Sequence, residues 1–215
     1  ATGAILGMLL TESPAIARAG FYSYWFKSPE SASIGKPVLL MHGAAGNCRY
    51  MHDLAAHLAR CGVQIYVIDT GMGDVTTEKM KMVQEKLAVI QRNHPQSKID
   101  IVAHSLGGYQ ALFSTVLNPI VENGKLVNPI EQVQPNPMVG KVITLAMPFD
   151  ASEVNILRAT GKLPDAFTVN AKYDALMGHK IPAMPAGHQI EVNSGHIGIV
   201  YCPEAFEAVM QYLNH

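Results

Sequence analysis

Six short apolar runs, rich in β-branched residues, recur along the chain: VLLM (38–41), IYVI (65–68), IDIVA (99–103), VITLA (142–146), FTVNA (167–171) and HQIEV (188–192). Such compact runs fit strands buried on both faces, the situation of a parallel sheet. Between them the apolar spacing changes to three and four residues. Met80, Val83, Leu87 and Ile90 predict a helix from about Thr77 to Arg92. Met51, Leu54, Ala55 and Leu58 predict another after the first run, and Phe206, Val209, Met210 and Leu213 a C-terminal one. Strands alternating with helices imply an α/β fold with a mostly parallel central sheet and helices on both faces.

Two segments depart from this rhythm. Residues 1–34 read as a structured lead-in, with GFYSYWF (20–26) supplying an additional strand at the sheet edge. AILGMLL followed by ARA has some features of a secretion signal, but it lacks a basic start and its apolar core is short. Residues 117–140, rich in proline and asparagine, are long for a helix–strand connection. They form either a small flap over a site or a plain surface excursion. Residues 1–215 read as a single domain, with no repeat or composition break.

Composition narrows the partners. Charged residues are 15% of the chain, against about 25% in an average soluble protein, and the net charge is −1. No basic run points to a nucleic acid. The low charge suits a secreted or periplasmic enzyme, with a cytoplasmic one as the alternative. No run in the sequence reaches the roughly 18 apolar residues of a membrane span. Cys48, Cys61 and Cys202 allow one disulfide and a thiol, or three thiols. No Cys/His cluster has zinc spacing, so neither a metal nor a cofactor is expected.

The chemistry concentrates in IDIVAHSLGGYQALF (99–113). IDIVA reads as a strand and LGGYQALFSTVL as a helix, with Ser105 at the turn between them. A turn that sharp strains the serine backbone and tolerates only small residues two positions away, here Ala103 and Gly107. It exposes the hydroxyl at a helix N-terminus, where backbone N–H groups face a developing oxyanion. This is a nucleophile elbow, G-x-S-x-G, with alanine at its first small position. Upstream, HGAAG (42–46) follows the first central strand. Its Ala44 N–H can serve as a second oxyanion donor beside the Leu106 N–H. His42 reads as a residue shaping that loop, with a role as catalytic base as the alternative.

HGAAG, AHSLGG, TLAMPFDAS and NSGHIGIV together resemble the α/β-hydrolase superfamily, most closely small bacterial lipases and carboxylesterases. The resemblance runs from about residue 35 to the end. TLAMPFDAS departs from the lipase run T-L-G-T-P-H-x-G-S at the Gly, Thr and His positions. The family's order of serine, acid and histidine implies His196, in NSGHIGIV, as the base. It implies Asp174, in FTVNAKYDALMG, as the acid, with Asp150 and Asp165 as alternatives and Asp69 as a loop brace. His104 would pack behind the nucleophile, and His188 would be structural. His52, His57, His94, His179 and His215 lack a catalytic setting.

The expected activity is hydrolysis of a small-molecule ester or lipid through an acyl-enzyme. An acyltransferase or thioesterase would use the same three residues, and a binding protein of the same fold is the remaining class. A haloalkane dehalogenase would need aspartate at position 105. Met72, Met147, Met177 and Met184 follow strand ends, where thioethers could line an acyl site or simply fill the core.

Overall fold

The computed structural model describes residues 36–44, 46–147, 149–177 and 183–214. The lead-in and edge strand expected over residues 1–34, and His179 and His215, lie outside the described residues. The strands are β1 (Val38–Met41), β2 (Ile65–Ile68), β3 (Ile99–His104), β4 (Val121–Glu122), β5 (Lys125–Leu126), β6 (Val139–Leu145), β7 (Ala166–Ala171) and β8 (Gln189–Val192). The helices are α1 (His52–Arg60), α2 (Thr77–Asn93), α3 (Leu106–Phe113), α4 (Ala151–Ala159) and α5 (Pro203–Asn214).

Six strands pair in parallel, in the order β2-β1-β3-β6-β7-β8. The pleat divides their side chains between two cores. Leu39, Met41, Ile101, Ala103 and Val142 face α2, α3 and α4, meeting Met80, Val83, Leu87, Leu112 and Leu157. Val38, Leu40, Val102, Ile143 and Val169 face α1 and α5, meeting Leu54, Leu58, Phe206 and Val209. Each fully buried aliphatic side chain contributes about 1.5–3 kcal/mol by leaving water. Two such layers explain why the inner strands carry apolar residues at successive positions, as VLLM does along its whole length. The edge strands β2 and β8 are partly exposed, since each has a neighbour on one side only among the described residues.

The helix after Ser105 is shorter than its apolar spacing predicts, ending at Phe113. Ser114 Oγ donates to the Gln110 carbonyl at 2.6 Å and Thr115 Oγ1 to the Leu112 carbonyl at 2.7 Å. Ser114 keeps its helical N–H bond to Gln110, but the Thr115 and Val116 N–H groups turn to the Leu112 and Phe113 carbonyls at 3.0 and 3.1 Å, a tightened last turn at which the helix ends. The chain then enters residues 117–140, where β4 and β5 form a hairpin turned at Asn123-Gly124. Val121 is buried, and its backbone N–H and C=O both bond Thr77 Oγ1, at 2.9 and 3.0 Å, in the first turn of α2. Asn136, fully buried, donates to the Ser114 carbonyl and to Gln84 Oε1. These bonds seat the excursion against α2 and the end of α3.

Candidate active site

The strand order determines where a ligand can approach. The chain leaves β1 for β2 on one side and then returns to β3 on the other, so their connections diverge at the carboxyl ends. That divergence opens a crevice, the usual ligand position in an open parallel sheet. Ser105 stands at the end of β3, in this crevice. Its φ of 53° and ψ of −126° lie in a region disfavoured for any residue with a Cβ. The surrounding packing holds it there. Its N–H donates to the Leu145 carbonyl at 2.9 Å, carrying the β3–β6 ladder one residue past the strand. Gly107 packs so close to the first strand that a Cβ would lie 2.5 Å from the His42 carbonyl oxygen. A Cβ on Gly43 would meet that of Ser105 at 2.9 Å.

Asp174 and His196 arrive on loops that are laced together. Beyond β7 and β8, the Lys172 N–H donates to the Val192 carbonyl and the Tyr173 N–H to the Ser194 carbonyl, both at 3.0 Å. This extension of the parallel ladder brings the two loops to one place. His196 Nδ1 lies 2.7 Å from Asp174 Oδ2, and its Nε2 lies 2.8 Å from Ser105 Oγ. A carboxylate can only accept, so Nδ1 carries the proton and Nε2 is left to accept from the serine hydroxyl. Asp174 is itself oriented by the Leu176 and Met177 N–H groups, which donate to Oδ1 at 3.0 and 2.7 Å. Both Asp174 and His196 are buried, while Ser105 is partly exposed.

The backbone around Ala44 is fixed by its own carbonyl contacts. The Gly43 carbonyl and the Ala44 N–H belong to one trans peptide and point in opposite directions. That carbonyl accepts from His42 Nδ1 at 2.8 Å and from the Gly46 N–H at 3.1 Å. The direction of the Ala44 N–H is thereby set. Leu106, the first residue of α3, has an N–H without an intrahelical acceptor. His42 is buried, with Nε2 3.1 Å from Asp69 Oδ1 and 3.3 Å from the Thr70 nitrogen. His42 shapes the loop through its bond to the Gly43 carbonyl, and Asp69 Oδ1 accepts from the Gly71 N–H at 3.0 Å.

His104 acts at longer range. Its Nε2–H donates to the His196 carbonyl at 2.8 Å, and its ring packs 5.0 Å from that of His196. Burial, reinforced by the neighbouring His196, holds the ring neutral, with its pKa down to about 3. The bond to His196 spans ninety-two positions of sequence, so no local motif reveals it.

The alternative acids have other partners. Asp150 caps α4, accepting from the Ser152 and Glu153 N–H groups while Glu153 Oε2 accepts from its own N–H at 2.6 Å. Its carboxylate is held below the usual range by the Ser152 hydroxyl. Asp165 immediately precedes β7, at the opposite end of the sheet from Ser105. His188 bonds the Ala166 carbonyl at 3.0 Å, and His94 the Tyr66 hydroxyl at 2.8 Å. Of the four methionines, Met147 and Met184 are buried in the core, Met72 is exposed, and Met177 stays beside Asp174. Cys48, Cys61 and Cys202 are all thiols. Among the described residues, no His, Cys, Asp and Glu side chains group into a metal site, and no helix is long and apolar enough to cross a membrane.

Residues 36–137 match the family described as alpha/beta hydrolase fold. No curated protein matches the chain in sequence. Among solved structures, mature Bacillus licheniformis lipase BlEst2 is similar with a TM-score of 0.55 at 17% identity, over 88% of this chain and 98% of that one. The pyrethroid hydrolase PytH gives 0.54 at 14% identity, over 83% and 97%. TT1662 from Thermus thermophilus gives 0.52 at 15% identity, over 87% and 90%. At such identities the likeness is one of fold.

Proposed function

We propose that this chain, which has the α/β-hydrolase fold, hydrolyses carboxylic esters with Ser105 as nucleophile, His196 as general base and Asp174 as its orienting acid. The observation that carries this reading is the unbroken relay from Ser105 Oγ through both His196 nitrogens to Asp174, at 2.8 and 2.7 Å. Ser105 Oγ attacks the ester carbonyl as its proton passes to His196 Nε2. Asp174 stabilises the imidazolium and keeps the second ring proton on Nδ1.

The tetrahedral oxyanion is received by the Ala44 and Leu106 N–H groups, each worth about 3 kcal/mol in the transition state. Collapse breaks the bond to the alcohol, which leaves with the proton from His196. Water then enters, gives a proton to the same nitrogen and releases the acid, restoring the serine. The chemistry of this cycle uses side chains and backbone already in place. A series of p-nitrophenyl esters, tested on the parent and on Ser105→Ala, examines the reading. The parent should turn over acetate to octanoate esters, and the variant should lose at least about a thousandfold in kcat. Equal rates in the two proteins would remove Ser105 from the mechanism.

A further inference from the structure

Lys79 occupies the third position of α2, where a cation opposes the positive end of the helix dipole. The side chain is engaged elsewhere. Its Nζ donates to three successive carbonyls, those of Gly71 at 3.3 Å, Met72 at 2.7 Å and Gly73 at 3.0 Å. An ammonium has three N–H donors, and all three are used on this one loop. Asp69 Oδ1 holds the other end of the loop through the Gly71 N–H at 3.0 Å.

The loop in turn touches the backbone described around Ala44. The Gly73 N–H donates to the Ala44 carbonyl at 3.0 Å. Ala44 is therefore held from both sides. His42 and Gly46 fix the peptide that contains its N–H, and Gly73 fixes the peptide that contains its carbonyl. The chain of contacts runs from Lys79 Nζ, through the Gly73 peptide neighbourhood, to the residue that supplies an oxyanion donor.

We propose that Lys79 is a positioning residue for the oxyanion loop, clamping residues 71–73 so that Gly73 fixes Ala44. This rests on the ester-hydrolase reading of the site. Without the ammonium, three exposed carbonyls return to water and the loop gains freedom. Ala44 then loses an anchor while its bonds through Gly43 remain. Placement of the oxyanion suffers, and ground-state binding of the ester does not.

The test compares Lys79→Met, which keeps the stem, and Lys79→Arg, which keeps donors, with the parent. Amide hydrogen exchange over residues 43–46 and 71–74 reads the clamp without any need for activity. Turnover of p-nitrophenyl acetate, and inactivation by diethyl p-nitrophenyl phosphate, read the oxyanion site. Lys79→Met should exchange faster in both segments. Its kcat and its inactivation rate should fall about tenfold, with KM within about twofold, because a sub-ångström displacement near the reacting atoms costs on that order. Lys79→Arg should recover at least half of the loss.

Unchanged exchange over 43–46 would overturn the link to Ala44. Faster exchange with unchanged kcat, or a change in KM alone, would overturn the positioning role. Should the methionine variant fail to fold, Lys79→Gln serves the same comparison. If Ser105→Ala hydrolyses as fast as the parent, the ester-hydrolase reading falls and takes the catalytic half of this proposal with it. The exchange measurement still decides the clamp in that case.

Discussion

Gly107 and Gly108 are neighbours in the elbow, and adding a methyl to each should have opposite consequences. A Cβ on Gly107 would lie 2.5 Å from the His42 carbonyl oxygen and 3.1 Å from both the His42 carbonyl carbon and the Met41 oxygen. All three are backbone atoms at the end of the central strand β1, tied to β2 and β3. None can yield cheaply. Relief requires α3 to move outward by at least about half an ångström, taking Ser105 and the Leu106 N–H with it. Overpacking of this kind costs about 1–3 kcal/mol, or more where only backbone is available to move. For a domain of this size that lowers Tm by roughly 2–4 °C per kcal/mol. If Ser105 acts as proposed, a shift of half an ångström to one ångström at its hydroxyl should reduce kcat about ten- to a hundredfold.

A Cβ on Gly108 meets Met147 instead, with Sδ at 2.7 Å, Cγ at 2.9 Å and Cβ at 3.0 Å, all in one side chain and none in backbone. A thioether has rotamers to spare, so the buried methionine can swing aside with less loss. Gly107→Ala and Gly108→Ala should therefore be compared by thermal melting and by p-nitrophenyl ester kinetics. The first should lose most of its kcat with KM little changed, and the second should keep at least about a third. Equal tolerance at both positions would show that close packing of α3 on β1 does not hold the elbow.

Other consequences concern pH and strain. His104 ionises near 6.5 in an unfolded chain but at about 3 when folded. The unfolded state therefore takes up a proton that the fold refuses, and stability is lost as pH falls from about 6.5 toward 3. Between pH 7 and 5 this amounts to about 2 kcal/mol, which His104→Gln should remove from the difference in urea-unfolding free energy. Glu153 has the opposite sign, because burial, aided by the charge of Asp150, raises it to about 7. Its contribution is full below its unfolded value near 4.5 and lost as pH rises through 7. Glu153→Gln should melt at the same temperature as the parent near pH 4 and higher above pH 7. The left-handed backbone of Ser105, φ 53°, also predicts that Ser105→Gly is more stable than Ser105→Ala by about 1 kcal/mol in urea unfolding.

Much of the architecture is legible in the chain because its strands are buried on both faces. Runs with apolar residues at successive positions, such as VLLM and the IVA of β3, then mark strands without any need for alternation. Helix ends are less legible. FSTVL continues the apolar spacing of α3, yet the Thr115 N–H and hydroxyl both bond the Leu112 carbonyl that the next turn would use, and Val116 turns to Phe113 instead. At the site, Ser105 is visible from its strand–turn–helix setting. The meeting of Asp174 and His196 depends on two loops laced through backbone groups, which every sequence possesses.

Asp150 carries a local signature of its own, aspartate three residues before glutamate at a helix start. Lys79 is the least legible. Its partners are backbone carbonyls six to eight residues earlier, and no side-chain spacing encodes them. The place of Met147 after β6 leaves acyl-site lining and core filling both open, and the structure buries it in the core beside Gly108.

The proposed chemistry makes Ser105 the one side chain that carries the acyl group. Treatment with a fluorophosphonate, followed by intact mass and peptide mapping, addresses this in a single measurement. One adduct per chain should form, on the peptide containing Ser105. The same treatment of His196→Ala should label at least about a hundredfold more slowly, since no base accepts the serine proton. An adduct on another residue, or labelling of His196→Ala at the parent rate, would contradict the assignment.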